Sequence, residues 1–194
     1  TLFIDLPTRE VNVDGTITPV IAENSQNNAN TAISADITNY HQTSNVNEGT
    51  DVIVFEDGVI KAKNAGTATI TLYQAETAKY EASQNFTFNV TVSKIANAIT
   101  VILNDEERNS INVARGGIVE LNYSSESDGA FEVALTSGST STATLSDNTI
   151  TAGDTDDADG VNIWTITQAE TYKYEVAETT FSIKVNSTIE DESY

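Results

Sequence analysis

Cysteine is absent from the sequence, so disulfide frameworks, thiolate zinc sites and thiol nucleophiles are excluded together. An exported eukaryotic protein built from small β-domains would ordinarily carry disulfides, and their absence favours a bacterial source for a chain that is exported. Histidine occurs once, as His41 in the polar stretch Asn39-Tyr40-His41-Gln42-Thr43-Ser44-Asn45, and reads as an exposed loop residue. With no second histidine and no Gly-x-Ser-x-Gly elbow, a nucleophile–base constellation has no parts, and the chain reads as non-enzymatic. Carboxylates are so abundant that a pair at glycosidase spacing would arise by chance and carries no weight. Basic residues are scarce: nine Lys and Arg face 29 Asp and Glu, for a formal charge of −20. Such a surface repels phosphate backbones and anionic headgroups over about a Debye length, so nucleic acid is not expected as a partner. No apolar run approaches the roughly 18 residues of a spanning helix, and direct membrane insertion of this segment is not expected. The sequence opens at Thr1 without a charged and apolar leader, which reads as a removed signal or as a piece of a longer chain.

What the sequence does contain is a repeat. Gln74-Ala75-Glu76-Thr77-Ala78-Lys79-Tyr80-Glu81 recurs 94 residues later as Gln168-Ala169-Glu170-Thr171-Tyr172-Lys173-Tyr174-Glu175, with only Ala78 and Tyr172 differing. The match extends in both directions with small gaps, as expected of repeats that differ in loop length. Phe88, Val90 and Val92 fall on Phe181, Ile183 and Val185; Ile70 and Leu72 fall on Trp164 and Ile166. Upstream, Phe55-Glu56-Asp57-Gly58 falls on Leu145-Ser146-Asp147-Asn148, Val11-Asn12-Val13 on Ile111-Asn112-Val113, and Ile33, Ala35 and Ile37 on Phe131, Val133 and Leu135. Inside each copy, apolar residues recur with period two, as in Ala68, Ile70 and Leu72 set between threonines, which marks half-buried strands. Seven strands are predicted per copy: about 2–6, 10–13 with 17–22, 32–38, 51–55, 58–62, 67–74 and 85–93, then 98–103, 110–113 with 117–123, 130–136, 141–145, 148–152, 161–168 and 178–186. Asp57-Gly58 and Asp147-Asn148 sit where a tight hairpin needs residues tolerant of positive φ. The fold class predicted is all-β: two tandem immunoglobulin-like antiparallel β-sandwich domains, 1–94 and 95–194. Ser93-Lys94-Ile95-Ala96-Asn97 joins them without Gly or Pro, which predicts a restricted hinge and an end-to-end pair.

These residues resemble a known family. Ala65-Gly66-Thr67-Ala68-Thr69-Ile70-Thr71, then Gln74-Ala75, Tyr80 with Ala82, and Val90-Thr91-Val92-Ser93-Lys94 are similar to bacterial immunoglobulin-like (Big) repeats, found in tandem in surface proteins, especially of Bacteroidota. The second copy departs from the pattern where Asp159-Gly160-Val161-Asn162-Ile163-Trp164 replaces the small Gly-Thr-Ala-Thr run. The resemblance implies a spacer or adhesion module of an extracellular, cell-surface chain with further Ig-like domains, with no catalytic or cofactor-binding residues. Two other readings stand beside it: a carbohydrate-binding accessory module of a polysaccharide-degrading system, and a bacteriophage virion decoration or fibre protein.

Candidate sites are few. Between Ala152 and Gly160 the second copy holds Gly153-Asp154-Thr155-Asp156-Asp157-Ala158-Asp159, four residues longer than the equivalent connection in the first copy. Clustered carboxylates repel unless solvent or a cation relieves them, so Asp154, Asp156, Asp157 and Asp159 are candidate calcium ligands, with a solvated acidic hairpin as the alternative. An EF-hand register fails, since placing Asp157, Asp159 and Gly160 at positions 3, 5 and 6 puts Thr155 at position 1 and Ile166 at position 12. Trp164 could offer a sugar-stacking platform, but it is in phase with Ile166 on the inward set and is predicted to lie in the core. Tyr73, Tyr172, Tyr123 and Tyr40 are out of phase or near loops and are the candidates for a glycan or protein contact patch. Tyr80 and Tyr174 are expected to pack on the sandwich ends and hydrogen-bond to backbone through their hydroxyls. The acidic tail Glu190-Asp191-Glu192-Ser193-Tyr194 reads as a frayed end or a linker.

Overall fold

A computed structural model describes residues 3–21, 32–41, 46, 49, 51–153 and 160–186. They form two compact units: unit 1 comprises Thr1–Ile95 with Thr171–Glu175, and unit 2 comprises Ala96–Glu170 with Val176–Tyr194. The described residues form strands and turns, with no helix among them.

Unit 1 contains β1 (Ile4–Asp5), β2 (Glu10–Asn12), β3 (Thr16–Ile17), β4 (Val20–Ile21), β5 (Ile33–His41), β6 (Ile53–Glu56), β7 (Val59–Ala62), β8 (Gly66–Gln74) and β9 (Phe86–Ser93). Its four-stranded sheet runs β2-β9-β8-β5, and the facing strands form a β3-β7-β6 sheet and a separate β1-β4 pair. The predicted strand 17–22 is thus two strands in different sheets. Pro19 lies between them, and without a backbone N–H it cannot continue a ladder. Unit 2 contains β10 (Thr100–Leu103), β11 (Glu106–Glu107), β12 (Ser110–Ala114), β13 (Ile118–Ser124), β14 (Phe131–Leu135), β15 (Ala143–Ser146), β16 (Thr149–Ala152), β17 (Gly160–Gln168) and β18 (Ala177–Asn186). Its sheets run β12-β18-β17-β14 and β11-β10-β13-β16-β15. β13 occupies the place of β3 and β4, has no proline, and stays whole.

Among the described residues the paired strands are antiparallel apart from one pair in each unit. β2 runs parallel to β9, with Val11 opposite Val92, and β12 runs parallel to β18, with Val113 opposite Val185. In each case the first edge of the chain crosses to the second sheet and lies beside the last strand. β5 also extends beyond its predicted end at 38, pairing through His41 with Gly66. His41 is therefore at a strand terminus by backbone, a correction to its loop assignment.

The alternation that predicted the strands closes the cores. In unit 1, Ala68, Ile70 and Leu72 face Ile17, Ile53 and Ile60 in one cluster with Phe88, Val90 and Val92. In unit 2, Trp164 and Ile166 join Val119, Leu121, Ile150, Phe181 and Ile183. Each valine, leucine, isoleucine or phenylalanine among them, fully removed from water, contributes about 1.5–3 kcal/mol before entropy is counted.

Turns repeat as faithfully as strands. Asp57 (φ 54°) and Gly58 (φ 80°) close the β6–β7 hairpin, and Asp147 (φ 52°) helps close β15–β16, as their chemistry predicts. Asn104 and Asp105 (φ 50° and 63°) make a further two-residue hairpin between β10 and β11. The turn after β2 places Asp14 at φ 65°, and the equivalent turn after β12 places Gly116 at φ 68°. Each is followed by a glycine whose added Cβ would meet a carbonyl oxygen: Asn12 O at 2.9 Å for Gly15 and Ala114 O at 2.7 Å for Gly117.

Candidate functional site

The structure places the predicted residues as follows. Asp154, Asp156, Asp157 and Asp159 lie outside the described residues, as does the acidic tail 190–194. Among the described residues no group of three or more His, Asp or Glu side chains is arranged to hold a metal ion.

Trp164 is a core residue, as predicted: it is 3% exposed and stacks on Phe181 with ring planes 7° apart and centroids at 6.3 Å. A sugar face cannot reach it. Of the four candidate contact tyrosines, Tyr73, Tyr123 and Tyr172 are half-buried. Tyr123 packs on Phe131 at 4.6 Å, and Tyr172 packs against the unit 1 core. Tyr40 alone of the four is open, at 60% exposure. It borders an open groove of about 270 Å³ with Thr67, Ala68, Thr69 and Asn89, on the outer face of the four-stranded sheet. That face is built of hydroxyls and amides because the inward partners of the alternation took the apolar positions. Thr69 Oγ1 donates to Asn89 Oδ1 at 3.0 Å, and the Thr71 and Thr87 hydroxyls pair at 2.9 Å. Such a face can hydrogen-bond and stack.

A second open groove, about 440 Å³, lies in unit 2 among Asn97, Thr100, Ser124, Ser125 and Glu126. Beside it stands a buried polar cluster that the sequence reading missed. Gln168 is fully buried; its Oε1 accepts from Asn97 Nδ2 at 2.7 Å and Ser125 Oγ at 2.6 Å, and its Nε2 donates to the carbonyls of Ser127 and Gly129, both at 2.9 Å. All four of its hydrogen-bonding directions are met, so the cluster anchors the 125–129 connection. The available signal was phase: Gln168 sits on the inward set with Trp164 and Ile166.

The repeated octapeptide makes a turn, and here the sequence expectation needs correction. Tyr80 is 50% exposed, with the Lys79 ammonium 5.3 Å from its ring centroid, so the ring does not seal a sandwich end. Threonine does the structural work in its place. Thr77 Oγ1 accepts from the N–H of Tyr80 at 3.1 Å, and the Thr77 N–H donates to the Tyr80 carbonyl at 2.8 Å. Thr171 and Tyr174 repeat both bonds at 3.0 Å.

Surface electrostatics are local. Lys61 Nζ donates to Glu56 Oε2 at 2.8 Å, which holds the Glu56 carboxyl below its ordinary value and raises Lys61. A hydrogen bond to Asp14, at 3.1 Å, raises Lys173 in the same way. Among the described residues no helix is long and apolar enough to cross a membrane.

No protein-family model matches the sequence. No curated protein matches it either. Among solved structures, the chain is similar to a SusE-like, surface-located polysaccharide-binding protein from the heparin utilisation locus of Bacteroides thetaiotaomicron, at 15% identity and a TM-score of 0.32, over 95% of this chain and 34% of that one. It is similar also to the C-terminal fragment of intimin solved with its translocated receptor's binding domain, at 12% identity and a TM-score of 0.33, over 93% of this chain and 63% of that one. A third is the three N-terminal domains of the highly immunogenic outer capsid protein of bacteriophage RB49, at 12% identity and a TM-score of 0.31, over 97% of this chain and 70% of that one. The chain thus spans about a third of the length of the first of these proteins and under two thirds of the second.

Proposed function

We propose that the chain is a non-catalytic spacer and adhesion segment of a larger bacterial cell-surface protein, two members of a series of immunoglobulin-like repeats. One observation carries the reading: the residues repeated between the copies build cores and turns. Thr77 and Thr171 cap the same turn, Ile70 and Trp164 fill the same core position, and Asp14-Gly15 and Gly116-Gly117 close the same corner. A duplicated enzyme or cofactor site would instead repeat reacting or ligating groups. The strong negative charge keeps neighbouring copies apart in solution. Protease treatment of intact source cells tests the reading: loss of the segment from intact cells supports an extracellular surface location, and retention until lysis refutes it.

A glycan ligand is the second reading, supported by the exposed Tyr40 ring beside the threonine and asparagine groove. A neutral glycan suits it best, because a chain with this net charge repels polyanions. A glycan array decides, with reproducible binding that disappears in Tyr40→Ala favouring the binding module and uniform silence favouring the spacer. Calcium binding by Asp154, Asp156, Asp157 and Asp159 rests on the sequence alone. Isothermal titration giving no heat at millimolar calcium would remove it.

A further inference from the structure

The octapeptide folds twice into one kind of turn, and both turns belong to unit 1, which includes Thr171–Glu175. Their internal bonding is the same, down to a lysine ammonium over the neighbouring tyrosine, at 5.3 Å for Lys79 and 5.6 Å for Lys173. Their surroundings differ. Ile95 lies along the second turn as a parallel bridge to Tyr174. The Ile95 N–H donates to the Lys173 carbonyl at 2.8 Å, and the Ile95 carbonyl accepts from the Glu175 N–H at 2.9 Å. Lys173 pairs with Asp14, and Tyr172 packs on the apolar cluster of the unit. Residues 171–174 are accordingly half-buried, whereas Thr77, Ala78, Lys79 and Tyr80 are all exposed. Among the described residues no segment bridges onto the Thr77 turn.

We propose that the Thr77–Glu81 turn is a docking edge for another repeat of this kind, accepting the backbone that follows that repeat's last strand as Thr171–Glu175 accepts Ile95. The inference rests on the reading of the chain as part of a repeat series, and it specifies which edge the neighbouring repeat uses. The recognition chemistry is explicit. The Lys79 carbonyl and the Glu81 N–H are the counterparts of the groups that hold Ile95, so any extended residue other than proline can bridge them. Lys79 is placed to pair with an acid at the partner's counterpart of Asp14. Ala78 stands where Tyr172 provides apolar area, so the contact is weaker than the one at Ile95 and depends on the high effective concentration of a covalently joined repeat.

The test joins a second copy of residues 1–97 ahead of Thr1 of the whole chain and follows trypsin cleavage after Lys79. In the natural chain, Lys79 should be cut about tenfold or more faster than Lys173, because cleavage requires local opening. In the extended chain, cleavage after the original Lys79 should slow by about tenfold while the Lys79 of the added copy is cut at the original rate; Ile95→Pro in the added copy should restore the original rate, and Ala78→Tyr in the original turn should slow it further. Unchanged cleavage after the original Lys79, with the added copy shown to be folded by its own melting transition, would overturn the proposal. So would an added copy that stays unfolded ahead of both the natural chain and the Ala78→Tyr variant, since unit 1 includes Thr171–Glu175 and the Thr77 turn is proposed to supply the added copy with the same segment. Cell-surface location is measured separately, so loss of the docking edge would leave that reading standing.

Discussion

The inner faces of β8 and β17 are the same strand solved twice. One presents Ala68, Ile70, Leu72 and Gln74, the other Asn162, Trp164, Ile166 and Gln168. Register is kept: Ile70 lies opposite Phe88 as Trp164 lies opposite Phe181. Rings are redistributed: one is gained at Trp164 in place of Ile70 and one is absent two residues before Phe181, where Thr179 stands in place of Phe86. A close-packed interior tolerates such an exchange when total volume is conserved. Polar duties move as well. In unit 1 the connection into β6 is tied from β5 and from beyond β7: Asn39 Oδ1 accepts from the N–H groups of Val52 and Ile53, both at 3.0 Å, and Asn64 Nδ2 donates to the Asp51 carbonyl at 2.9 Å. In unit 2 the connection before β15 is tied from β17, with Asn162 Nδ2 donating to the Ser141 carbonyl at 2.7 Å. A repeat therefore preserves backbone corners and core phase, while side chains that anchor irregular connections are replaceable from another strand.

The largest expected break in the comparison is Trp164→Ala. It empties the centre of the unit 2 core and should destabilise that unit by about 3–5 kcal/mol. Because the chain has a single tryptophan, fluorescence reports on unit 2 alone while circular dichroism reports on both. The native emission should be blue-shifted and protected from quenchers. Urea unfolding of the variant, followed by circular dichroism, should show one transition moved to low denaturant and the rest unchanged. A loss below about 1 kcal/mol would mean that the indole is not packed as the stacking on Phe181 indicates.

A smaller effect is expected at Gln168. Gln168→Leu leaves the Ser127 and Gly129 carbonyls without their buried donor and should cost about 1–3 kcal/mol on the tryptophan-reported transition. Asn162→Ala should cost less, about 1 kcal/mol, because Asn162 Oδ1 already lacks a partner and its removal relieves an unmet acceptor. If Asn162→Ala proved the more damaging of the two, the contrast between a satisfied and a half-satisfied buried amide would be wrong.

Legibility in the sequence followed the range of the interaction. Period-two alternation located the β8, β9 and β17 inner faces and put Trp164 in the core, because alternation is a local consequence of strand geometry. The Asp57-Gly58 turn was readable for the same reason, and Asn104-Asp105 carried an equal signal that went unread. Pro19 also announced the break between β3 and β4. The parallel pairing of β2 with β9 was not readable, since it joins residues some 80 positions apart with no local marker. The anchoring roles of Asn39, Asn64 and Gln168 likewise depend on partners brought close only by the fold. Tyr80 misled because repetition was taken to mean burial of the ring, when the repeated group in use was the Thr77 hydroxyl.

The smallest effect separates the two equivalent hairpins. β6–β7 carries the Glu56–Lys61 ion pair, whereas the matching positions of β15–β16 are Ser146 and Thr151. Glu56 titrates below its ordinary value chiefly because Lys61 donates a hydrogen bond to its charged form. A carboxyl lowered on folding stabilises above its unfolded pKa, and that contribution fades as pH falls through the lower folded value. The raised Lys61 works at the other limit: its contribution is complete below the unfolded lysine pKa and is lost as pH rises through the folded one. Glu56→Gln should therefore flatten the acid limb of unit 1 stability slightly and remove the alkaline contribution of Lys61, while the tryptophan-reported transition of unit 2 stays unchanged. Because both groups face solvent, the difference should shrink as salt is raised. Matched pH series of the parent and Glu56→Gln, read by circular dichroism and by fluorescence, make the comparison; an equal response in both signals would show that the pair is not a property of the first hairpin.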